Sequence, residues 1–316
     1  MTPRRVTIAI PIHDEEAVIP ALLQRVRAVL DGTPGGPHEL LLVDDGSRDG
    51  SLRLLEAAAR DDARIRVVVL SRNFGHQAAV SAAFDHALGD VMLVMDGDLQ
   101  DPPEALPVLL ARLDEGFDVV YVLRTRRKES LALRMSYHVA YRMIAWLSKL
   151  ALPVDAGDFA LLSRRAVDAV RELPERQRYL RGLRSWVGFR QTGVAIERES
   201  RAAGESKYSV RRLVGLALDG AFAFSTAPLR FIGVIGGLVL ALATVFSGYA
   251  VYARLVLGRS PQGFTALTVL LTLLGGMILV SLWIIGEYVG RIYEEVKRRP
   301  IYLVDRIVGS AGRPER

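Results

Sequence analysis

Two stretches of the chain carry no charge at all. Phe231 to Tyr252 is 22 residues long and Phe264 to Gly286 is 23. A helix that crosses a bilayer needs about 20 apolar residues, and uncharged runs of this length are rare in water-soluble cores. Both runs are therefore expected to be membrane-spanning helices. Arg211, Arg212 and Arg230 precede the first. Arg291, Lys297, Arg298 and Arg299 follow the second, and the short connection holds only Arg254 and Arg259. The positive-inside rule places both termini, and everything before the first run, on the cytoplasmic side of a multi-pass protein of the plasma (inner) membrane. The opening MTPRRVTIAIPIHDEE runs straight into acids and is not expected to be a signal peptide. The formal net charge of +6 suits an anionic membrane surface better than nucleic acid, because the basic residues flank the spans. With no cysteine, disulfides, thiolate metal sites and a cysteine nucleophile are excluded. His13, His38, His76, His86 and His138 form no metal-ligand spacing such as HExxH.

The part before the spans alternates strand and helix signals. Apolar β-rich runs at 6–12, 40–43, 66–70, 91–95 and 118–123 are separated by helical patterns at 15–30, 51–60, 76–88 and 103–115. Continuous apolar strands alternating with helices predict a mostly parallel sheet covered on both faces. Further helices are expected over 131–150 and 178–188, and a strand over 192–198. Residues 213–227, amphipathic to apolar and broken by Asp219, read as a helix lying in the membrane interface. A simple packing helix fits that pattern nearly as well. The expected domains are thus 1–212, an interfacial segment 213–230, a two-helix membrane domain 231–290 and a C-terminal tail 291–316.

Ligands of open α/β sheets sit outside the carboxyl ends of the strands. PIHDEE follows the first strand, DDGS (44–47) the second and DGDLQD (96–101) the fourth, so polar groups converge on one edge. Each motif alone also reads as a turn or a helix cap. If DGDLQD stays extended, Asp98 and Gln100 point the same way, as oxygen ligands for Mg²⁺ or Mn²⁺ at a diphosphate. Asp44 would hydrogen-bond a nucleotide base or ribose. Arg124, Arg126, Arg127 and Arg134 suit a phosphate clamp or a basic surface. Lys207 in GESKYS, one of only four lysines, and Arg201 nearby suit phosphate or lipid. Asp155 or Asp158 in DAGDFALLSRRAV would face a reacting centre, or cap a loop. Neither GxxxxGK[ST] nor GxGxxG occurs, which excludes P-loop and argues against dinucleotide-binding readings.

PIHDEE, LLLVDDGSRDGS, VMDGDLQDPPE, DAGDFALLSRRAV, YLRGLRSWVGFRQTGV, RAAGESKYSVRRL and GEYVGRIYEEVKRRPIY occur in this order. Together the chain resembles the polyprenyl-phosphate glycosyltransferases of family 2, a group that includes bactoprenol glucosyltransferases and dolichol-phosphate mannose synthases. The resemblance implies a GT-A fold and inverting, metal-dependent transfer of a hexose, with UDP-glucose the first expectation and GDP-mannose the second. The implied acceptor is a polyprenyl (undecaprenyl) phosphate, used in building envelope or protein glycans. It implies Pro11, His13, Glu15, Asp44 and Asp96 at the nucleotide, and Asp96, Asp98 and Gln100 at Mg²⁺ or Mn²⁺. Arg124, Arg134, Arg201 and Lys207 would face phosphate, and Asp158 the sugar; a homo-oligomer, plausibly a tetramer, is also implied. His13 and Asp14 stand where Tyr-Asn is common, Ala160 where Arg often follows GDF, and Val122 where glycine is frequent. A processive polysaccharide synthase is disfavoured, since QxxRW is absent after Gln177. A non-catalytic nucleotide-sugar-binding scaffold is the alternative of a different class.

Overall fold

The structure is a computed structural model that describes residues 3–124, 156–175, 178, 180–196, 227–258 and 263–309. These fall into two compact units. One holds the described residues up to 196 together with 299–309, and the other holds those from 227 to 298.

The first unit is an eight-stranded sheet with helices packed on it. Its strands are β1 (Val6–Ile12), β2 (Glu39–Asp44), β3 (Ile65–Leu70), β4 (Val91–Val94), β5 (Val119–Arg124), β6 (Ala156–Ser163), β7 (Gln191–Ile196) and β8 (Val304–Val308). Its helices are α1 (Ile19–Asp31), α2 (Ser51–Asp61), α3 (His76–His86), α4 (Leu106–Asp114), α5 (Arg164–Glu172) and α6 (Leu180–Trp186). The strand order is β7-β5-β6-β4-β1-β2-β3-β8. β1 runs parallel to β2 and β4, β2 to β3, and β5 to β7, whereas β6 is antiparallel to both β4 and β5, and β8 to β3. Six strands therefore point one way and two the other.

The central strands β1 and β2 are buried along their whole length, and mostly apolar, because both their faces are covered. Every residue of β1 is buried. Ile8 and Ile10 pack with Leu22, Val26 and Leu30 of α1 in the main core. On β1 and β2, α3 packs through small side chains, with Ala78, Ala79, Ala82 and Ala83 all buried, so the helix backbone approaches the sheet closely.

Among the described residues of this unit the expected strands and helices are found, with shifted ends. α1 begins at Ile19, not Glu15, because Asp14 takes a left-handed φ of 52° and the Glu15 carbonyl closes a turn with the Val18 and Ile19 amides. The sequence pattern gave no hint of β8. Its residues return from the tail to pair with β3 in the register Val67↔Val308, Val68↔Ile307 and Val69↔Arg306. Around it the Ser71 amide donates to the Leu303 carbonyl at 2.9 Å, Tyr302 donates to Asp85 at 2.8 Å, and Arg306 pairs with Glu56 at 2.7 Å.

A buried polar network ties β1, β2 and β3 together at the edge where the parallel strands begin. Glu39 accepts hydrogen bonds from the Thr7 hydroxyl (2.6 Å) and the Leu88 amide (2.9 Å), and pairs with Arg66 at 3.0 Å. Arg66 also donates to the His86 carbonyl.

The second unit contains two long helices, α7 (Ala227–Leu255) and α8 (Phe264–Val296). Within α8, Leu274–Val296 is long and apolar enough to cross a membrane; the apolar part of α7, Ile232–Phe246, is shorter. The helices expected at 131–150 and over most of 213–227 lie outside the described residues.

Candidate functional site

Parallel strands carry their carboxyl ends to one edge, and the loops leaving β1, β2, β3 and β4 meet there. The loop after β1 is zipped to the loop after β2. The Asp14 carboxylate accepts from the Arg48 amide at 2.7 Å, the Glu15 amide donates to Ser51 at 2.9 Å, and the Glu16 carboxylate accepts from the Gly50 amide at 2.8 Å. Asp14 and Glu16 thus serve the loops themselves. His13 is exposed, with its Nε2 2.8 Å from the Asn73 amide nitrogen of the β3–α3 loop.

The two acids of DDGS divide their work. Both oxygens of Asp45 are taken, by the Phe74 amide at 2.7 Å and the Gly75 amide at 2.9 Å, so it shapes the approach to α3. Gly46, which follows them, needs its glycine: its φ is 65°, and a Cβ would lie 2.5 Å from the Asn73 backbone nitrogen. Asp44 is buried. One of its oxygens accepts from the Ser47 amide at 3.3 Å, while Oδ1 is buried with no hydrogen-bond partner among the described residues. Burial pushes its carboxyl up, against the Ser47 hydrogen bonds. A buried acceptor left open in this way is costly unless a donor arrives.

DGDLQD does not stay extended. Leu99 takes a left-handed φ of 57°, and the Asp98 carboxylate accepts from the Gln100 amide at 3.1 Å. An Asp bonding its own backbone two residues on is the short-range alternative to a strand. The Asp98 side chain therefore meets the Gln100 backbone in a turn, and the expected strand alternation of the two residues is not found. Gly97 seats this turn against the end of β1, where a Cβ would meet Ile12 Cδ1 at 2.8 Å and the Pro11 carbonyl at 3.4 Å. Asp101 is buried.

The antiparallel insertion of β6 between β4 and β5 supplies the next acid. Because β6 runs backwards, its first residues, not its last, reach the carboxyl edge. The register Val94↔Ala160 places Asp158 alongside the loop that starts at Asp96. Arg181 of α6 holds Asp158 by two parallel bonds, Nε to Oδ1 at 2.7 Å and Nη2 to Oδ2 at 2.9 Å. His76, the first residue of α3, lies between the two acids, its Nε2 3.7 Å from Asp158 and 3.8 Å from Asp96. Burial would raise the Asp158 carboxyl, but Arg181 and His76 outweigh it and hold it well below the usual carboxylate range. Burial raises Asp96, and its acidic neighbours Asp158, Asp101 and Asp98 add to that against the pull of His76.

Pro11, His13, Glu15, Asp44, Asp96, Asp98, Gln100 and Asp158 thus lie on segments that meet at one edge, and β5 ends there at Arg124. Arg134, Arg201 and Lys207 lie outside the described residues. His76 and Arg181 were missed in the sequence. The histidine belongs to no ligand pattern, and the arginine sits 23 residues from the acid it grips. The only available signal was the position of His76 at the start of the predicted helix 76–88. Among the described residues, no three acidic or histidine side chains gather as a metal cage.

Comparison with known proteins agrees with this architecture. The family described as "Glycosyl transferase family 2" matches residues 7–171. A bactoprenol glucosyl transferase of prophage origin from Shigella flexneri is 35% identical over 96% of this chain and 98% of its own. An undecaprenyl-phosphate 4-deoxy-4-formamido-L-arabinose transferase from Yersinia pestis is 36% identical over 97% of this chain and 94% of its own. In fold, the chain is similar to glucosyl-3-phosphoglycerate synthase from Mycobacterium tuberculosis, with a TM-score of 0.51 and 19% identity over 68% of this chain and 75% of that one.

Proposed function

Since the chain belongs to glycosyl transferase family 2, we propose that it transfers a hexose, with glucose from UDP-glucose the first expectation, from a nucleotide sugar to a polyprenyl phosphate at the cytoplasmic face of the membrane. The observation that carries this reading is the polar edge itself. A buried acceptor at Asp44, open among the described residues, a turn bearing Asp96 and Asp98, and a clamped anion at Asp158 lie along one edge of the sheet of a family 2 fold. The acceptor is argued from the relatives, which match this chain over nearly its full length and are named for bactoprenol and undecaprenyl phosphate. The apolar helices agree with a lipid substrate: Leu238, Leu242, Val245 and Trp283 are all more than half exposed within the chain, a surface that suits a bilayer. Both long helices are proposed as spans, with the termini cytoplasmic.

In the proposed reaction an acceptor phosphate oxygen attacks the anomeric carbon. A carbon–oxygen bond forms on one face as the bond to the nucleoside diphosphate breaks on the other, and the diphosphate leaves with the electron pair. The configuration inverts. A phosphate monoester has a second pKa of about 6, so the nucleophile is largely ionised near pH 7 and needs no strong base. Asp44 would accept a hydrogen bond from the nucleotide. Asp96 would lie against ribose, and Asp158 would orient the sugar. The oxygens of Asp96, Asp98 and Gln100 suit Mg²⁺ or Mn²⁺, as hard ligands few enough in number to leave coordination positions for diphosphate and water. When bound there, the cation would offset the charge that develops on the leaving diphosphate.

The test is incubation of the purified full chain with polyprenyl phosphate and a panel of UDP- and GDP-sugars, with and without Mg²⁺ or Mn²⁺. One lipid-linked sugar, formed only with metal, is the expected product. Donor binding without transfer to lipid from any sugar would replace the enzyme with a scaffold.

A further inference from the structure

The strongest unexplained feature of the site is the fastening of Arg181. Its helix, α6, is held at both ends. The Leu180 amide donates to the Gln77 side chain of α3 at 3.2 Å, and the Gln191 side chain at the start of β7 donates to the Arg184 carbonyl at 2.7 Å. One turn beyond Arg181, Arg184 is buried, reaches the Gly157 carbonyl at 3.4 Å and lies 5.3 Å from the Tyr121 ring centre. Neighbouring residues of β6, Gly157 and Asp158, are thus gripped by two arginines of a single helix. His76, next to Gln77, closes the side towards Asp96. Four segments, α3, β6, α6 and β7, converge on the placement of one carboxylate.

A planar guanidinium that meets a carboxylate with two parallel bonds fixes the plane of the acid as well as its position. A carboxylate has about four lone-pair sites, so each oxygen of Asp158 can still accept from a hydroxyl after the arginine has bonded. Asp158 is 15% exposed and Arg181 23%, so both are recessed but reachable. An acid held ionised in this way is a poor proton acceptor and a good fixed acceptor of hydroxyl hydrogen bonds.

We propose that Arg181 is a positioning residue, which fixes the Asp158 carboxylate at the sugar end of the crevice and acts on glycosyl transfer through that acid. This rests on the transferase reading above. The experiment is a double-mutant cycle on the full chain, with the donor that the wild type accepts, and UDP or GDP as the binding probe. Arg181→Gln is expected to lower kcat about 100-fold, the scale of loss for a misplaced contact, while nucleoside diphosphate affinity stays within about twofold. Arg181→Lys, which keeps the charge but not the fork, is expected to recover only part of the loss. In an Asp158→Asn background, either arginine variant is expected to cost nothing further.

Losses that add in the Asp158→Asn background would overturn the inference, as would a fall in diphosphate affinity matching the fall in kcat, which marks a direct phosphate contact. Should Arg181→Gln alone fail to fold through the uncompensated acid, the neutral pair Asp158→Asn/Arg181→Gln and Arg181→Lys carry the same comparison. No transfer by the wild type would remove the transferase reading and this inference with it. Turnover by the wild type with additive losses removes the inference alone.

Discussion

Asp44 and Asp98 look alike in the sequence, each an acid beside Asp-Gly or Gly-Asp after a strand, yet the structure uses them differently. The open oxygen of Asp44 is buried, so its value lies in a donor that the described residues do not provide. Asp44→Asn swaps a charged acceptor for an amide, and hydrogen bonds to charged groups are worth about 1.5–3 kcal/mol. We expect UDP or GDP affinity, measured by calorimetry, to fall about tenfold or more, with little loss of thermal stability. Asp98 sits in a turn and bonds the Gln100 amide, so Asp98→Ala removes a proposed metal oxygen and loosens the turn together. Mn²⁺ binding, followed by the electron paramagnetic resonance of the free ion, is expected to weaken, and metal-supported turnover to disappear. Unchanged Mn²⁺ binding in that variant would sink the metal assignment. Asp45 and Asp14, which share motifs with the proposed ligand groups, are consumed by loop amides. Nothing in a one-dimensional motif separates an acid that holds a loop from one that awaits a ligand, because the amides it meets lie some 30 residues away in the chain.

At the scale of elements, the early strands and their helices were legible because both signals are local: apolar runs for buried strands and a 3.6-residue period for α1. The direction of β6 was not. A strand that inserts antiparallel between β4 and β5 is fixed by pairing with partners 33 to 72 residues away, which no local period encodes. That reversal is what brings Asp158 to the edge of Asp96, so the site's least legible contact follows from its least legible strand. The network at the other edge of the sheet has a separate, structural role. Glu39→Ala would leave Arg66 beside an empty partner position, with Thr7 and the Leu88 amide losing their acceptor. Breaking a buried pair from one side costs about 3–5 kcal/mol. The melting temperature should drop markedly, while nucleotide affinity measured below the transition stays close to that of wild type. A selective loss of nucleotide affinity with unchanged melting would show that the network reaches the site after all.

At the scale of the whole molecule, the chain builds seven strands, leaves to form α7 and α8, and comes back to add the eighth. VDRIV is short and follows a basic stretch, so the sequence reads as a solvated tail, and only its pairing with β3 makes it a strand. Deleting everything after residue 298 would bare the edge of β3 and remove the Tyr302–Asp85 and Arg306–Glu56 contacts. Such a truncated protein is expected to melt lower and aggregate faster in detergent than the full chain, as read by light scattering on heating; identical behaviour would make the pairing dispensable. The position of β8 in the sequence also sets an order of events during synthesis. Its residues leave the ribosome only after the apolar helices have been made. The sheet must therefore wait, with the flank of β3 unsatisfied, until Val304–Val308 has been made. A ribosome stalled before Val304 would hold a sheet that lacks its closing strand, however complete its polar edge.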